Sequence, residues 1–477
     1  MQSVMLVRMT LPYSVSTGAR IRPSDILDFE SHLLGELIQP DHHDYDAARR
    51  VRNLSFDRHP ALIARAADAA DVIRAVTFAR DHQLPLAVRS GGHSLAGHST
   101  VDGGLVIDLS NMRGISIDPE RRVAWAQPGL TWGAYAEAAN AYSLATSAGD
   151  TASVGVGGLT LGGGIGWMVR KQGLTIDNLL SVEMVMADGR LLHVSADEYP
   201  DLFWAVRGGG GNFGVATAFQ FRLQPAGIVV GGATVYPATV NVLRAWAEFV
   251  VQAPDELTSI VFVMPAPPAP FVPADQVGKL VALVGVVYAG DLATGEAAIA
   301  PLRRLGRLAP IADITAPMPY PGIFQLTSEA TRPALQSVRS GFANALSDTM
   351  LESIVEHGTR MPEASGLIQL RGLGGAMARV PVDATAFAHR DKAYMVTVVG
   401  TGSSSAEFER QRAWAHDLWS VLYPHTSGAY MNFLEDEGQS RIREAYAPRA
   451  YERLAAIKRQ YDPANVFHLN QNIRPGA

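Results

Sequence analysis

The stretch "RSGGHSLAGHST" (residues 89–100) places three glycines and two histidines directly after the apolar run "LPLAV". A second tract, "GVGGLTLGGGIG" (155–166), is denser still in glycine. Glycine lets a ligand approach the backbone closely, and successive exposed N–H groups form concave sites that bind anions. Both segments therefore predict loops that hold a phosphate-bearing ligand. Tight turns in a chain with 45 glycines are the simpler alternative.

Known nucleotide-binding motifs do not account for these two loops. The chain has no G-x-x-x-x-G-K-[ST] sequence, which argues against a P-loop nucleotide triphosphatase. The glycine spacing in "GLTLGGGIG" is close to a dinucleotide fingerprint. The sequence after it does not continue as a clean βαβ unit with an acid after the next strand, so that match is weak.

Length and composition narrow the function classes further. With 477 residues the chain exceeds what one hydrophobic core usually supports, and we expect two domains. A net charge of −6 with scattered basic residues argues against a nucleic-acid partner. The absence of cysteine excludes disulfides, thiolate metal sites and cysteine nucleophiles. Neither a signal-peptide core nor a run of about 18 apolar residues is visible, so we expect a soluble cytoplasmic protein without membrane contact.

One histidine-rich segment could suggest a metal site. "DHHDYD" (41–46) groups two histidines with three aspartates. Its spacing matches no known ligand frame, so we expect no metal.

The first half of the chain mixes helices and strands. "DAADVIRAVTFARDHQ" carries Val72, Val76 and Ala79 at helical spacing, with Asp71 as the N-cap. Asp188-Gly189 separates two alternating segments and predicts a hairpin. We expect one mixed α/β unit over residues 34–223, preceded by about 33 loosely organised residues.

The middle of the chain has a different pattern. Strand-like runs such as "LVALVGVVYAG", "GLIQLRGLGG" and "AYMVTVVGTG" are followed by the amphipathic helix "AEFERQRAWAHDLWSVLY". Strands covered by helices indicate an α+β domain with an antiparallel sheet. The tail adds a helix that Pro463 stops.

Four blocks, in order and at family spacing, resemble the vanillyl-alcohol-oxidase flavoproteins, and within them the bacterial berberine-bridge-enzyme-like oxidases. They are "RSGGHSLAGHS", "VGVGGLTLGGGIGWMVRKQGLTIDNLLSVEMVMADG", "DLFWAVRGGGGNFG" and "YDPANVFHLNQNI". The resemblance implies an α+β fold. A PCMH-type FAD-binding domain with two α/β subdomains would comprise residues 34–226 and 429–477. A substrate domain, residues 227–428, would contain an antiparallel sheet covered by helices.

The resemblance also implies a covalent flavin. In this family the first loop wraps the FAD pyrophosphate, and its histidine, here His93, is joined to the 8-methyl carbon of the flavin. His98 would pack or hydrogen-bond near the phosphates, and Asp177 with Asn178 would lie near the adenine half. The remaining residues expected to bind FAD are Arg89, Ser90, Gly91, Gly92, Ser94, Ser99, Thr151, Val154, Gly155, Gly158, Gly162, Gly163, Gly166, Val182, Asn470 and Asn472.

Two positions depart from, or refine, the family pattern. Many relatives form a second covalent bond through a cysteine, whose position in "GDTASVG" is taken by Thr151. We therefore expect a single histidine link, which argues mildly against an oligosaccharide substrate. Val154 stands at the gatekeeper position over the flavin, where a small residue accompanies reactivity with oxygen.

Candidate catalytic groups come from the C-terminal segments. "YMNFLEDE" and "AYAPRAYERL" resemble the active-site segments of the family and give Tyr446 as the base, with Tyr430 and Asn432 as positioning groups. Gln369 and Arg371 alternate along "GLIQLRG", so on a strand they point the same way. They could line the substrate pocket or form a solvated face.

The prediction is an FAD-dependent oxidase that oxidises an alcohol or related group of a small organic substrate, drawn from specialised metabolism, with molecular oxygen as acceptor. The alternatives are a dehydrogenase with another acceptor, and a flavin-loaded binding protein without catalysis. A cofactor-free scaffold is disfavoured because glycine loops lose entropy on folding without a ligand to compensate. A homodimer is the base-rate expectation.

Overall fold

The computed structural model describes residues 21–362 and 365–476. The segment expected to be loosely organised lies partly outside these residues. Within them that expectation is wrong, because Pro23–His32 forms helix α1, which buries Ile26 and Phe29. Proline suits the first turn of a helix, where its missing N–H is not needed.

The first subdomain is a four-stranded sheet with one covering helix. Its sheet has the order β1-β2-β4-β3, in which β1 runs antiparallel to β2 and the other pairs are parallel. The elements in chain order are β1 (Glu36–Ile38), α2 (Tyr45–Arg49), β2 (Leu62–Arg65), α3 (Ala69–Asp81), β3 (Leu86–Arg89) and β4 (Leu105–Asp108). Helix α3 connects β2 to β3 and packs its apolar face against the sheet.

Helix α3 begins differently from the prediction. Its N-cap is Asp68, whose side chain accepts the N–H of Asp71 at 2.9 Å. Asp71 is fully buried and accepts the backbone N–H groups of Leu34, Gly35 and Ala67 instead. The expected cap is therefore wrong. Both aspartates suit a helix N-terminus, and only the tertiary fold brings the 34–35 segment to the second one.

The second subdomain contains a five-stranded antiparallel sheet of order β5-β6-β10-β8-β9. The predicted hairpin at Asp188-Gly189 is confirmed as the turn between β8 and β9, with Gly189 at φ +87°. The elements are β5 (Ile115–Asp118), β6 (Val123–Ala126), α4 (Trp132–Asn140), β7 (Leu144–Ala145), α5 (Val156–Gly162), α6 (Val169–Gln172), β8 (Leu179–Val185), β9 (Leu191–Ser195), α7 (Pro200–Val206), β10 (Val215–Arg222) and β11 (Gln224–Pro225).

A large antiparallel sheet follows, of order β15-β12-β14-β13-β18-β19-β17, with β16 also pairing with β12. Helices α8, α10 and α12 cover one of its faces. The elements are β12 (Ile228–Pro237), α8 (Val240–Gln252), β13 (Leu257–Pro265), β14 (Leu280–Tyr288), α9 (Leu292–Ile299), β15 (Ala312–Asp313), β16 (Ala316–Pro319), β17 (Leu335–Ala343), α10 (Asp348–Thr359), β18 (Gly366–Gly372), α11 (Ala376–Arg379), β19 (Tyr394–Gly402) and α12 (Ser405–Leu422). The predicted α+β architecture is confirmed.

The two faces of this sheet meet different partners. On β18, Ile368 and Leu370 join the core under the helices. On neighbouring strands, Ile260 and Phe262 pack with Trp167 of the second subdomain. Because strand side chains alternate between faces, Gln369, which lies between Ile368 and Leu370, is turned toward the first two subdomains. The large sheet therefore covers the region between the domains, and we call this sheet the roof.

Two buried arginines tie the roof to the second subdomain. Arg390 pairs with Asp177, with an N–O distance of 2.7 Å, and both side chains are buried. Arg170 donates to the carbonyls of Leu373 and Ala253 across the same interface. No helix within the described residues is long and apolar enough to cross a membrane.

The chain then returns to the first two subdomains through α13 (Gln439–Glu444) and α14 (Pro448–Tyr461). Lys458 on α14 is fully buried and donates to Asp462 at 2.5 Å and to the carbonyls of Asn212 and Phe467. Burial lowers the pKa of Lys458, and the Asp462 charge opposes that shift. This ammonium fixes the C-terminal segment against the loop around Asn212.

Replacing Lys458 by methionine tests this anchor. The variant leaves the Asp462 carboxylate buried without its counter-ion, so we expect the free energy of unfolding to fall by about 3–5 kcal/mol in urea denaturation. Lys279→Met is the matched control, since Lys279 lies 3.9 Å from Asp275 with both side chains exposed. A loss there should stay below about 1 kcal/mol. Equal losses in the two variants would contradict the anchor.

Candidate functional site

The two glycine loops lie back to back. A Cβ added to Gly91 would meet the backbone nitrogen of Gly155 at 2.4 Å, and one added to Gly155 would meet the nitrogen of Gly91 at 2.5 Å. Gly155 also precedes α5 and bridges to Thr131. Only glycine at both positions allows this approach, because real Cβ atoms do not come so close to backbone. The loops therefore form one continuous surface.

His93 connects the first loop to the segment just before the second loop. Its Nε2 lies 3.0 Å from the hydroxyl of Ser153. Loss of hydration lowers the pKa of His93 to about 4, and the charge of nearby Arg52 adds to that shift. The imidazole is therefore neutral at pH 7, and one ring nitrogen keeps a free lone pair. Sequence reasoning missed Ser153, since a serine in a loop carries no signal of its own.

Other polar atoms around the loops lack a hydrogen-bond partner within residues 21–362 and 365–476. They are the Nε2 of His98 and the Oδ1 atoms of Asn470 and Asn472, all of them buried. Burial also lowers the pKa of His98 to about 4, with Arg58 contributing. Buried polar atoms in native proteins are almost always hydrogen-bonded, so such atoms point to a ligand.

Open space accompanies these groups. A Cβ on Gly158 or Gly211 would meet nothing within 4 Å. Gly92, at φ +69°, has only the Arg89 side chain within that distance. The Nδ2 of Asn470 donates to the Gly211 carbonyl, which joins the C-terminal segment to this space. The two loops and the tail thus surround a cradle with unsatisfied polar atoms.

Most glycines of the second tract serve close packing within the protein. Cβ atoms on Gly162 and Gly164 would collide with the side chains of Asn432 and Thr175, each at 2.0 Å. One on Gly166 would meet the Ala148 carbonyl at 2.2 Å. Gly163, at φ +131°, needs glycine for its conformation. A direct ligand contact is thus expected from Gly158 more than from these four.

Several other predicted side chains are engaged by the protein. Arg89 pairs with buried Asp108 at 2.6 Å. Asp177 pairs with Arg390, and Asn178 donates to the carbonyls of Gln172 and Leu174. These three side chains have structural partners within the protein, and their contacts with FAD stay predictions. Val182 is buried in the second-subdomain core, while Ser90, Ser94 and Ser99 remain in the first loop.

Thr151 lies beneath the large sheet, close to strand β18. Its hydroxyl donates to the Asp150 carboxylate at 3.2 Å, and Asp150 pairs with Arg371 from β18. Arg371 also donates to Gln369 at 2.8 Å, which confirms that the two side chains point the same way. Both are buried, so the solvated-face alternative is wrong. Sequence reasoning missed Asp150.

Tyr430 lies at the end of the second loop. Its buried hydroxyl oxygen accepts the Gly164 N–H and the Nδ2 of Asn432, each at 2.9 Å. Burial raises the pKa of Tyr430, whereas these two donors and the charge of Arg371 lower it. Asn432 also donates to the Leu159 carbonyl of α5 at 3.1 Å. Two donors on one phenol oxygen stabilise negative charge there.

Tyr446 lies in a different place. Its hydroxyl donates to the Gly208 carbonyl at 3.4 Å, and its ring packs near Tyr451 in the core of the second subdomain. Burial raises the pKa of Tyr446, and none of its hydrogen bonds lowers it. The same hydroxyl also donates to the sulfur of Met431 at 3.6 Å, the residue between Tyr430 and Asn432. Among the described residues no hydrogen bond joins Tyr446 directly to Tyr430, Asn432 or the glycine loops.

The histidine-rich surface segment groups three possible metal ligands. Ligand atoms of His42, His43 and Asp44 lie within 4.8 Å of one another. However, the Nδ1 of His42 already accepts the N–H of Asp44, and its Nε2 faces Glu36 at 3.4 Å. The expectation of no metal stays an expectation.

Comparisons with known proteins identify the family of this chain. A family model described as an FAD binding domain matches residues 60–195, and one described as berberine and berberine like matches residues 429–474. The (R)-6-hydroxynicotine oxidase of Paenarthrobacter nicotinovorans is 33% identical, covering 92% of this chain and 97% of that protein. The chain belongs to the berberine-bridge-enzyme-like FAD-linked oxidoreductases.

Solved structures agree with this assignment. 6-Hydroxy-D-nicotine oxidase from Arthrobacter nicotinovorans matches with a TM-score of 0.82 at 31% identity, covering 93% of this chain and 98% of that one. Glucooligosaccharide oxidase from Acremonium strictum matches with a TM-score of 0.82 at 25% identity, covering 95% and 100%. That enzyme carries a 6-S-cysteinyl, 8α-N1-histidyl FAD.

The residues of this oxidoreductase fit FAD. The cradle offers open glycine backbone at Gly92 and Gly158, where phosphates can approach N–H groups. His98, Asn470 and Asn472 offer buried polar atoms that need a partner. His93, neutral and held by Ser153, suits attachment to an electron-poor ring.

Two glycine variants separate loop packing from ligand contact. Gly91→Ala forces a Cβ onto Gly155, so we expect a loss of about 1–3 kcal/mol in stability and of bound flavin as well. Gly158→Ala meets no atom within 4 Å and lies in helix α5, where alanine is favoured by about 1 kcal/mol. It should keep or raise the thermal midpoint of the flavin-free protein while lowering the flavin-to-protein ratio. Full flavin content in Gly158→Ala would contradict its place in the cradle.

Proposed function

We propose that this FAD-linked oxidoreductase is an oxidase for an alcohol or related group of a small organic metabolite, with molecular oxygen as acceptor and hydrogen peroxide as product. The observation that carries the proposal is the Tyr430 hydroxyl. Its oxygen accepts the Gly164 N–H and the Asn432 amide, and no acceptor for its own proton lies among the described residues. Once deprotonated, this oxygen is a phenolate stabilised by two donors, and it can take the proton that alcohol oxidation releases.

His93 is proposed as the single covalent attachment point. If its Nε2–H donates to Ser153, the lone pair lies on Nδ1, which faces away from that contact and is free to bond the flavin 8α-carbon. The bond removes one hydrogen from the methyl group and one from the imidazole, with molecular oxygen as the oxidant. Thr151 has no thiol, so a second link through that position cannot form.

Bound FAD supplies the site that accepts hydride from the substrate carbon. The residues around it position that carbon and manage the proton. Tyr430 is the proposed base and Asn432 its positioning partner. Tyr446 is set aside as the base, because its hydroxyl donates to Gly208 and Met431 and, among the described residues, accepts no hydrogen bond that would stabilise a phenolate.

Oxygen as the acceptor is supported by Val154 and by the relatives. Val154 is partly buried beside the second-subdomain core and leaves only a small side chain at the gatekeeper position. Two matched relatives are named as oxidases. A dehydrogenase with another acceptor, or a flavin-loaded binding protein, would make different predictions.

The proposal is tested with purified holoenzyme mixed anaerobically with a panel of primary and secondary alcohols. An oxidase loses its 450 nm absorbance with a substrate, regains it when air is admitted, and releases one hydrogen peroxide per substrate. Bleaching with slow recovery in air would instead identify a dehydrogenase. No bleaching by any alcohol would favour the binding protein.

Thr151→Cys tests the placement of the second loop against the flavin. The variant carries the only thiol in the chain, because the sequence has no cysteine. We expect that thiol to bond the flavin with oxygen as oxidant, so holoenzyme gives no reaction with Ellman's reagent while flavin-free protein gives one thiol. Thr151→Ser is the matched control without a thiol. A free thiol in the holoenzyme would contradict the placement.

Tyr430→Phe and Tyr446→Phe form a second matched pair. Because burial raises the pKa of Tyr430, the phenol is neutral at pH 7, and the base form grows as the pH rises. We therefore expect kcat to increase with pH through the alkaline range. Tyr430→Phe should lower kcat by about 10²–10⁴-fold and abolish that rise. Tyr446→Phe should retain both while costing about 1 kcal/mol of stability. The reverse pattern would restore Tyr446 as the base.

A further inference from the structure

A charged cluster of Arg371, Gln369 and Asp150 connects the roof to the segment just before the second loop. Arg371 and Gln369 descend from β18, and Arg371 Nη2 donates to both the Asp150 carboxylate and the Gln369 carbonyl oxygen. All three side chains are buried. The guanidinium lies 5.3 Å from the Phe433 ring centroid. Hydrogen bonds within the protein and this aromatic contact therefore hold Arg371 from two sides.

The same cluster keeps unused hydrogen-bonding capacity. Among the described residues, Arg371 donates through Nη2, and its buried Nε has no partner there. The buried hydroxyls of Thr397 and Tyr320 likewise have no partner in the described part of the chain. Thr397 lies directly opposite Gln369 in β19. Burial raises the pKa of the Tyr320 phenol, and the charge of Asp150 adds to that shift. Buried groups of this kind normally find a partner in the functional state.

The cluster lies next to the proposed reaction site. Asp150 immediately precedes Thr151, the position that bears the second flavin bond in doubly linked relatives. The ring of Phe433, which the Arg371 guanidinium faces, has its centroid 5.4 Å from that of Tyr430, and the two ring planes are tilted by 46°. Guanidinium and proposed base therefore share one aromatic wall. A substrate whose reacting carbon lies near Tyr430 can place a polar group close to that carbon at Arg371.

Charge decides what that polar group can be. Arg371 and Asp150 offset each other, so the buried cluster is neutral overall. A substrate carboxylate would add an uncompensated negative charge, and an ammonium an uncompensated positive one. Burying an unpaired charge is far less favourable than making a neutral hydrogen bond in the same place.

We propose, on the basis of the oxidase function above, that the substrate is uncharged and presents a hydrogen-bond acceptor, a carbonyl or ether oxygen, to Arg371 beside the carbon that is oxidised. Asp150 then acts as a specificity residue: it holds the guanidinium and cancels its attraction for anions. Thr397 and Tyr320 supply further hydrogen bonds around the same oxygen. A purely structural tie between the domains is the competing explanation.

The test compares two isosteric pairs, acetamide with acetate and benzamide with benzoate. Binding to the holoenzyme is measured by isothermal titration calorimetry and by perturbation of the flavin spectrum. We expect each amide to bind at least about tenfold more tightly than its acid. Asp150→Asn leaves the Arg371 cation uncompensated and should reverse that order. Arg371→Gln should lower amide affinity about tenfold without favouring the acids.

Arg390→Gln is the matched control, because Arg390 also forms a buried pair across the domain interface, with Asp177. It should leave the amide-to-acid ratio unchanged. The proposal is overturned if acids bind wild type as tightly as amides, if neither amide binds, or if Arg390→Gln and Arg371→Gln change the ratio alike. Amide preference in an enzyme that no alcohol reduces would instead refute the proposed oxidase while leaving the pocket assignment standing.

Discussion

The contact between Gly91 and Gly155 is the constraint on which the rest of this site depends. Each glycine occupies the space that a Cβ on the other would need. This approach brings a loop that follows β3 in the first subdomain against a loop that precedes α5 in the second. His93 can reach Ser153 only because the two backbones meet. The cradle is thus a property of two subdomains together, and neither loop alone would form it.

Buried ion pairs hold the other walls of the site in place. Asp177 with Arg390 fixes the large sheet over the second subdomain, and Lys458 with Asp462 fixes the C-terminal segment. Such pairs contribute little net stability compared with apolar packing, but breaking one leaves a costly unpaired charge. They therefore specify one arrangement of the three parts. The Arg371–Asp150 pair belongs to the same class, and of these three pairs it is the one that adjoins Thr151.

Sequence reasoning reached the fold and the main loops, because glycine density, alternation and helical spacing are local signals. It placed the hairpin at Asp188-Gly189 and the common direction of Gln369 and Arg371. It failed where a residue's role depends on a distant partner. Asp68 rather than Asp71 caps α3, because the 34–35 backbone occupies Asp71. Ser153 and Asp150 give no local signal, since their partners lie 60 and 221 residues away.

Acid precipitation followed by peptide mapping tests whether FAD is held by a single covalent bond to His93. We expect a yellow pellet, and a digest in which the one flavin-bearing peptide contains His93, modified at Nδ1. Colourless protein, with all flavin in the supernatant and an unmodified His93 peptide, would contradict it. A flavin-bearing peptide from any other part of the chain would contradict it equally.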